Sequence, residues 1–320
     1  MVKKIPAELE KHGHVRVDDY YWLKDRNNPE VIAYLNVENE YSDRIMAHTK
    51  PLEEKIFEEI KSRIPQTDMS VPYRRDGYFY YTRYEQGKEY PIFARRKGSL
   101  DQPEEIMLDA NLLAQGHEFF SIGGWGLSAD QNLMAYAVDT QGRRIFTISI
   151  KNLLTGELLP DIIPNATENL TWADDNSTLF YAKQDLTTLR AYQIYRHRLG
   201  TSAATDQLVF EESDETYAAY VYKTKSKKYL MIVSAQTLSH EYRYLQADDP
   251  FGEFKVFLPR QREHEYSIDH YADRFVIRTN DQAKNFRLMV TPVEKIGKEH
   301  WQEIVPNRQN VYLGDFVIFR

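Results

Sequence analysis

A serine nucleophile on a strand-turn-helix elbow shows in sequence as Gly-x-Ser-x-Gly. The nearest run is Gly126-Leu-Ser128-Ala-Asp130, which lacks the second glycine. The pattern on both sides of it is strand, so Ser128 reads as a turn residue. His264 and His270, with Glu263, Glu265 and Asp269, form a cluster that could bind a metal or move a proton. On a strand, alternate residues share a face, which puts the two histidines too far apart for one metal without a bend. No third ligand lies nearby in sequence, and a structural histidine pair is the better reading. His12 and His14 flank a glycine near the N-terminus and read the same way. Arg95-Arg96-Lys97 is too short for a nucleic-acid stripe and reads as a solvated strand end. No Walker loop and no Gly-x-Gly-x-x-Gly run gives nucleotide binding any support. Cysteine is absent, which excludes disulfides, thiolate nucleophiles and thiolate zinc sites. Residue chemistry alone therefore points to no catalytic residue, no metal and no cofactor.

The elements that would carry these residues repeat. Second strands begin near Tyr78, Leu133, Leu179, Tyr229 and Phe275, in steps of 55, 46, 50 and 46 residues. Third strands centre near Ile92, Phe146, Gln193, Tyr242 and Arg287, in steps of 54, 47, 49 and 45. Two markers give one period, and a four-stranded unit at that spacing is the mark of a β-propeller blade. Central strands such as Leu230-Met-Ile-Val233 are apolar on both faces, as stacked sheets require. The fold predicted is mainly β: five complete four-stranded units, plus one strand of a sixth at Asn310–Phe319. Turn chemistry at Asp174-Asp-Asn-Ser177, Asp249-Pro-Phe-Gly252 and Ile296-Gly-Lys298 separates the strands.

Residues 1–70 do not carry the repeat. Apolar spacing predicts one helix from Pro29 to about His48, with Asn28 as N-cap and Pro29 at the first helical position. A second runs from Pro51 to about Arg63, with Leu52, Ile56, Phe57, Ile60 and Ile64 on one stripe. Two amphipathic helices cannot bury their own apolar faces and need a partner surface. The predicted organisation is a helical segment over 1–70 and a propeller over 71–320.

The net charge of −7 argues against nucleic acid or an anionic membrane as partner. No apolar run approaches the ~18 residues of a spanning helix, and no secretory signal is visible at the N-terminus. Together with the missing cysteines, this fits a cytoplasmic location. Asn165, Asn169 and Asn176 match the glycosylation acceptor pattern and read as polar loop residues.

Several motifs together resemble a known family. They are His12-Gly-His-Val-Arg16-Val-Asp-Asp-Tyr-Tyr-Trp-Leu23-Lys-Asp25, Arg63-Ile-Pro-Gln66, Gly87-Lys-Glu-Tyr90, Glu118-Phe-Phe-Ser-Ile-Gly-Gly124, Arg143-Arg144, Glu263-His-Glu-Tyr-Ser-Ile-Asp-His270 and Lys284-Asn-Phe286. They look like oligopeptidase B (protease II), a branch of the prolyl oligopeptidase family of serine peptidases, along essentially the whole chain. The resemblance implies a seven-bladed propeller that covers an α/β-hydrolase domain and admits only short peptides. It implies hydrolysis after Arg or Lys by a Ser-Asp-His triad in a C-terminal half that this sequence does not reach. The partners so implied are that hydrolase domain, onto which the N-terminal segment would wrap, and short basic peptides. It also implies that Glu118 and Arg144 pair with the hydrolase domain when the two halves close. The alternative is a stand-alone propeller that serves as a protein-interaction module.

Overall fold

The first helix begins where its capping chemistry begins. The Asn28 side chain accepts the Glu30 N–H at 2.9 Å, Pro29 opens the helix, and α1 runs Pro29–Met46. A short 3-10 turn leads into α2, Lys50–Ser62. Thr49 makes no N-cap bond, since its backbone is already helical. A hairpin of Ala7–Lys11 and His14–Asp18 precedes them. Only Val31 is buried on α1, and nothing is buried on α2. Ile32, Leu35, Ile45, Ile56, Phe57 and Ile60 are each about half exposed. The computed structural model describes residues 2–319, in two compact units, Met1–Asp68 and Met69–Arg320.

The second unit consists of five four-stranded antiparallel blades. Blade one is Tyr73–Arg75, Tyr78–Arg83, Ile92–Lys97 and Glu104–Asp109. Blade two begins with Ser121–Leu127, Leu133–Asp139 and Phe146–Asn152. Its fourth strand continues without a break into the first strand of blade three, as Leu158–Trp172. Pairing shifts register three times along those 15 residues, so two blades share one chain segment and form a seven-stranded sheet. Blade three adds Thr178–Gln184, Ala191–Arg198 and Gln207–Glu211. Blade four is Ala218–Lys223, Tyr229–Gln236, Ser239–Gln246 and Lys255–Val256. Blade five is Tyr266–Tyr271, Arg274–Thr279, Arg287–Pro292 and Gln302–Val305. Residues 312–319, within the stretch Asn310–Phe319 predicted as one strand of a sixth unit, form no ladder.

The core lies between blades. Tyr80, Met107 and Leu108 of blade one pack on Met134 and Tyr136 of blade two. Ala135, Ile148 and Ile150 of blade two pack on Trp172, Leu179 and Tyr181 of blade three. Phe180, Ala182 and Ile194 of blade three meet Val221, Leu230 and Ile232 of blade four. Met231, Tyr242 and Phe257 of blade four meet Phe275 and Ile277 of blade five. The strict alternation Leu179/Phe180/Tyr181/Ala182 feeds two different cores from one strand, which is why that strand is apolar on both faces.

Two sequence readings need correction. The run Arg95–Lys97 is not a solvated strand end. Arg95 is buried on a third strand, with Nε donating to Glu105 at 2.8 Å, Nη1 donating to the Gln131 carbonyl at 2.7 Å, and the guanidinium over the Tyr78 ring. Arg96 donates to the Leu100 and Gln102 carbonyls and the Tyr81 hydroxyl. An arginine can be buried when its fork is filled and its plane is stacked. Asn165 is not a loop residue either, since it lies within the strand Leu158–Trp172, and nor is Asn169. It sits on the inner strand of blade three and exchanges two hydrogen bonds with the Val221 backbone of blade four.

Candidate functional site

Strand direction alternates within a blade, so its connections divide between two ends. The entry to the first strand and the second-to-third hairpin share one end. The other two turns share the opposite end. Glu118 lies in the entry loop of blade two and Arg144 in its second-to-third hairpin. Ser121 pairs with Asp139, which brings the two loops together. Phe119 packs against Gly142, at about van der Waals contact from where a Cβ would stand there.

The hairpin that presents Arg144 is built by Asp139. This buried carboxylate accepts the N–H groups of Gln141 at 2.8 Å, Gly142 at 3.1 Å and Arg144 at 2.6 Å. Arg144 is thereby held at φ 56°, and its carbonyl accepts from Gln184 at 2.6 Å. Its side chain is exposed and, among the described residues, carries no ion pair or hydrogen bond. Glu118 is likewise exposed and unpaired. The structure brings the two loops to the same end of one blade but forms no salt bridge between the two side chains. Both charges remain free for a partner.

The same end carries a network that sequence reading did not find. Glu212, in the entry loop of blade four, is buried and bonded by the Arg260 guanidinium, which stacks 3.8 Å over the Tyr217 ring. Burial alone would raise the Glu212 carboxyl. Arg260, the Ser234 hydroxyl and the Asp214 N–H outweigh it and hold the group below its usual range. Arg260 also donates its own N–H to Glu241 at 2.9 Å, while Arg190 donates to the Tyr217 carbonyl at 2.8 Å. Blades three, four and five are tied here by charge-assisted bonds around an ionised glutamate.

No hydrolytic triad forms among the described residues. Ser128 is fully buried in its turn, donating to Asp130 at 2.6 Å and accepting the Leu133 N–H at 3.0 Å. His264 and His270 do not share a site. His264 Nε2 meets the Thr279 hydroxyl at 2.9 Å, and burial pushes its imidazole down to about 4. His270 Nδ1 meets the Ser226 hydroxyl at 2.8 Å, and burial again lowers its pKa. That serine–histidine contact is the nearest thing to a nucleophile and base. Ser226 also accepts the Lys228 N–H at 3.2 Å, and His270 is sealed against Tyr229 and Phe275, so the pair closes a turn. No cluster of three metal-ligating side chains is found among the described residues.

A third histidine has the partners a general base would want, but no access. His197 is fully buried between Asp206, 2.7 Å from Nδ1, and Asp161, 3.0 Å from Nε2. Burial disfavours its cation, yet the two aspartates prevail and raise its pKa.

Comparison with known proteins decides the class. The sequence profile described as "Prolyl oligopeptidase, N-terminal beta-propeller domain" matches residues 2–320. The chain belongs to this family. It is 43% identical to dipeptidyl aminopeptidase BI of Pseudoxanthomonas mexicana, over all of this chain and 46% of that protein. It is 35% identical to protease 2 of Moraxella lacunata, over all of this chain and 47% of that protein. Among solved structures, oligopeptidase B from Leishmania major superposes with a TM-score of 0.90 at 27% identity, covering 97% of this chain and 46% of that one. The chain thus spans about half the length of the curated relatives it matches. The five blades and the helical lead-in are those of a prolyl oligopeptidase propeller domain. Among the described residues, no helix is long and apolar enough to cross a membrane.

Proposed function

We propose that the chain is the N-terminal segment and most of the propeller of a serine oligopeptidase, and that by itself it has no peptidase activity. In the intact enzyme a C-terminal α/β-hydrolase domain supplies the triad, and the propeller limits access to short peptides cleaved after Arg or Lys. The observation that carries this reading is coverage. Full-length similarity to peptidases spans less than half of each of them. Two features support it. The half-exposed apolar faces of α1 and α2 suit a missing partner surface. Glu118 and Arg144 stand unpaired at one end of blade two, as charges that close onto another domain would.

The test uses the intact enzyme. Glu118→Ala and Arg144→Ala should each lower turnover of an arginyl amide while shifting thermal stability little, since an exposed charge contributes ~0–1 kcal/mol. Unchanged kinetics in both would remove the gating role. The 43% identity to a dipeptidyl aminopeptidase favours a second reading, release of N-terminal dipeptides. A dipeptidyl amide cleaved much faster than its N-acylated form would select it.

A further inference from the structure

The end of the propeller opposite Glu118 and Arg144 holds a cavity of about 690 Å³, lined by the inner strands and first turns of blades one to four and by Ile318 and Phe319. The chain as a whole is acidic, yet this cavity carries five cationic side chains against two carboxylates. Both carboxylates are already engaged across blade boundaries. Asp76 of blade one pairs with Lys227 of blade four and with the neighbouring Arg75. Asp174 of blade three holds Lys223 of blade four at 2.7 Å. Blades one and four are not neighbours in the arc, so the Asp76–Lys227 pair spans the axial opening. Arg74 and Lys225 line the same opening, are exposed, and have no side-chain partner among the described residues.

The remaining cations crowd one another. Burial comes first, then Lys227 and Arg75, in holding the Lys223 ammonium below the ordinary lysine range against the pull of Asp174. Nothing in the fold requires that crowding. Arg74 lies in the middle of the short first strand of blade one and Lys225 in the first turn of blade four, both exposed, where a polar neutral residue would serve the backbone equally well. A positive concavity walled by protein focuses field and concentrates anions. The cations come from two facing segments, the first strand of blade one and the first turn of blade four, so the anion that satisfies both must be multiply charged.

We propose that this opening binds the phosphate chain of a small polyanion, laid between the first strand of blade one (Arg74, Arg75) and the first turn of blade four (Lys225, Lys227). Tyr73 and Trp125 line the same cavity and offer an aromatic wall to any group the chain carries. The site is independent of the peptidase reading, since it needs no residue of a hydrolase domain.

The experiment is calorimetric titration of the 320-residue chain at low salt with inorganic tripolyphosphate, ATP and citrate. Tripolyphosphate should bind with one-to-one stoichiometry and weaken steeply as salt is raised. Arg74→Gln and Lys225→Gln, singly and together, should lower its affinity, the pair by about tenfold or more. Neither side chain supports the fold, and circular dichroism verifies that. Arg262→Gln, at a solvated position at the other end, should leave affinity unchanged. ATP binding as tightly as tripolyphosphate assigns recognition to the phosphate chain, and tighter ATP binding adds the aromatic wall. Either supports the site. Absence of saturable tripolyphosphate binding, binding undiminished in the double variant, or citrate binding equally well would overturn the proposal.

Discussion

Replacing His197 by Gln should destabilise the propeller strongly, and the loss should depend on pH in a direction set by geometry. The imidazole has an aspartate oxygen at each ring nitrogen, 2.7 Å and 3.0 Å away, and neither carboxylate side chain is more than 3% exposed. A neutral imidazole owns one N–H and would turn a lone pair toward the second carboxylate. The imidazolium satisfies both. Tyr181 donates to Asp206 at 2.8 Å and the Gly200 N–H to Asp161 at 2.6 Å, so each carboxylate has a further donor besides the imidazole. Glutamine can donate to one of them but leaves two buried negative charges without a cation. Breaking a buried pair this way costs ~3–5 kcal/mol, which for a unit of this size is a fall of roughly 6–20 °C in Tm. The sign with pH follows from linkage. The folded pKa of His197 is raised above its unfolded value of about 6.5. Its contribution is therefore complete below about pH 6.5 and is lost as pH rises through the raised folded value. The assay is thermal unfolding by circular dichroism from pH 5.5 to 8.5, with wild type and His197→Gln side by side. Titrations of groups remote from His197, Asp161 and Asp206 cancel in the difference. The Tm gap should be widest at the acid end and narrow toward the alkaline end. A gap that is constant, or that widens with pH, would refute a charged His197.

Gly124→Ala should cost about 3 kcal/mol or more by urea midpoint. A Cβ there would stand 2.0 Å from the Glu168 carbonyl oxygen, backbone that cannot yield. Gly87→Ala, at φ +74° in open space, should cost only about 1 kcal/mol. Phe57→Ser with Ile60→Gln should leave stability within ~0.5 kcal/mol per site and reduce binding of a hydrophobic dye, since both side chains are more than half exposed. A large loss of stability there would mean that these residues already pack. Native-state hydrogen exchange should find the Phe180 and Tyr181 amides slowest and the blade-one amides faster. Equal protection would contradict the core distribution.

The repeat was legible because second and third strands carry the blade period in their apolar residues. Their bounds match to within a few residues, as at Leu133–Asp139 and Tyr229–Gln236. The join between blades two and three was not, because the chain passes from one to the other inside a single irregular strand, with Pro160, Pro164 and the left-handed Asn165 along it. Arg95 was misread because charge runs are usually solvated, and its partner Gln131 lies 36 residues away. His197 gave no signal for the same reason. Asp161 is also 36 residues distant, and nothing local marks the position as buried. Glu118 and Arg144 came from resemblance alone. What physics adds is that Asp139 fixes the Arg144 backbone while leaving its side chain free.

The arrangement of cores bears on how a partial ring holds together. Five blades share four apolar clusters, each between consecutive blades. Among the described residues, no cluster joins blade five to blade one. Blades two, three and four are therefore covered on both faces, and blades one and five on one. Leu179 and Tyr181 face blade two while Phe180 and Ala182 face blade four, which makes blade three the centre of the arc. Polar links run at both ends of the arc. Arg260, Glu212 and Glu241 tie blades three to five at one end, and Asp76–Lys227 crosses the opening at the other. Surface ion pairs contribute little to stability, whereas apolar clusters supply most of it. Register around the axis is then held by the cores, and the crossing pair sets the width of the opening rather than the strength of the arc. The outer faces of blades one and five, which no cluster among the described residues covers, are where further apolar packing would add to the arc.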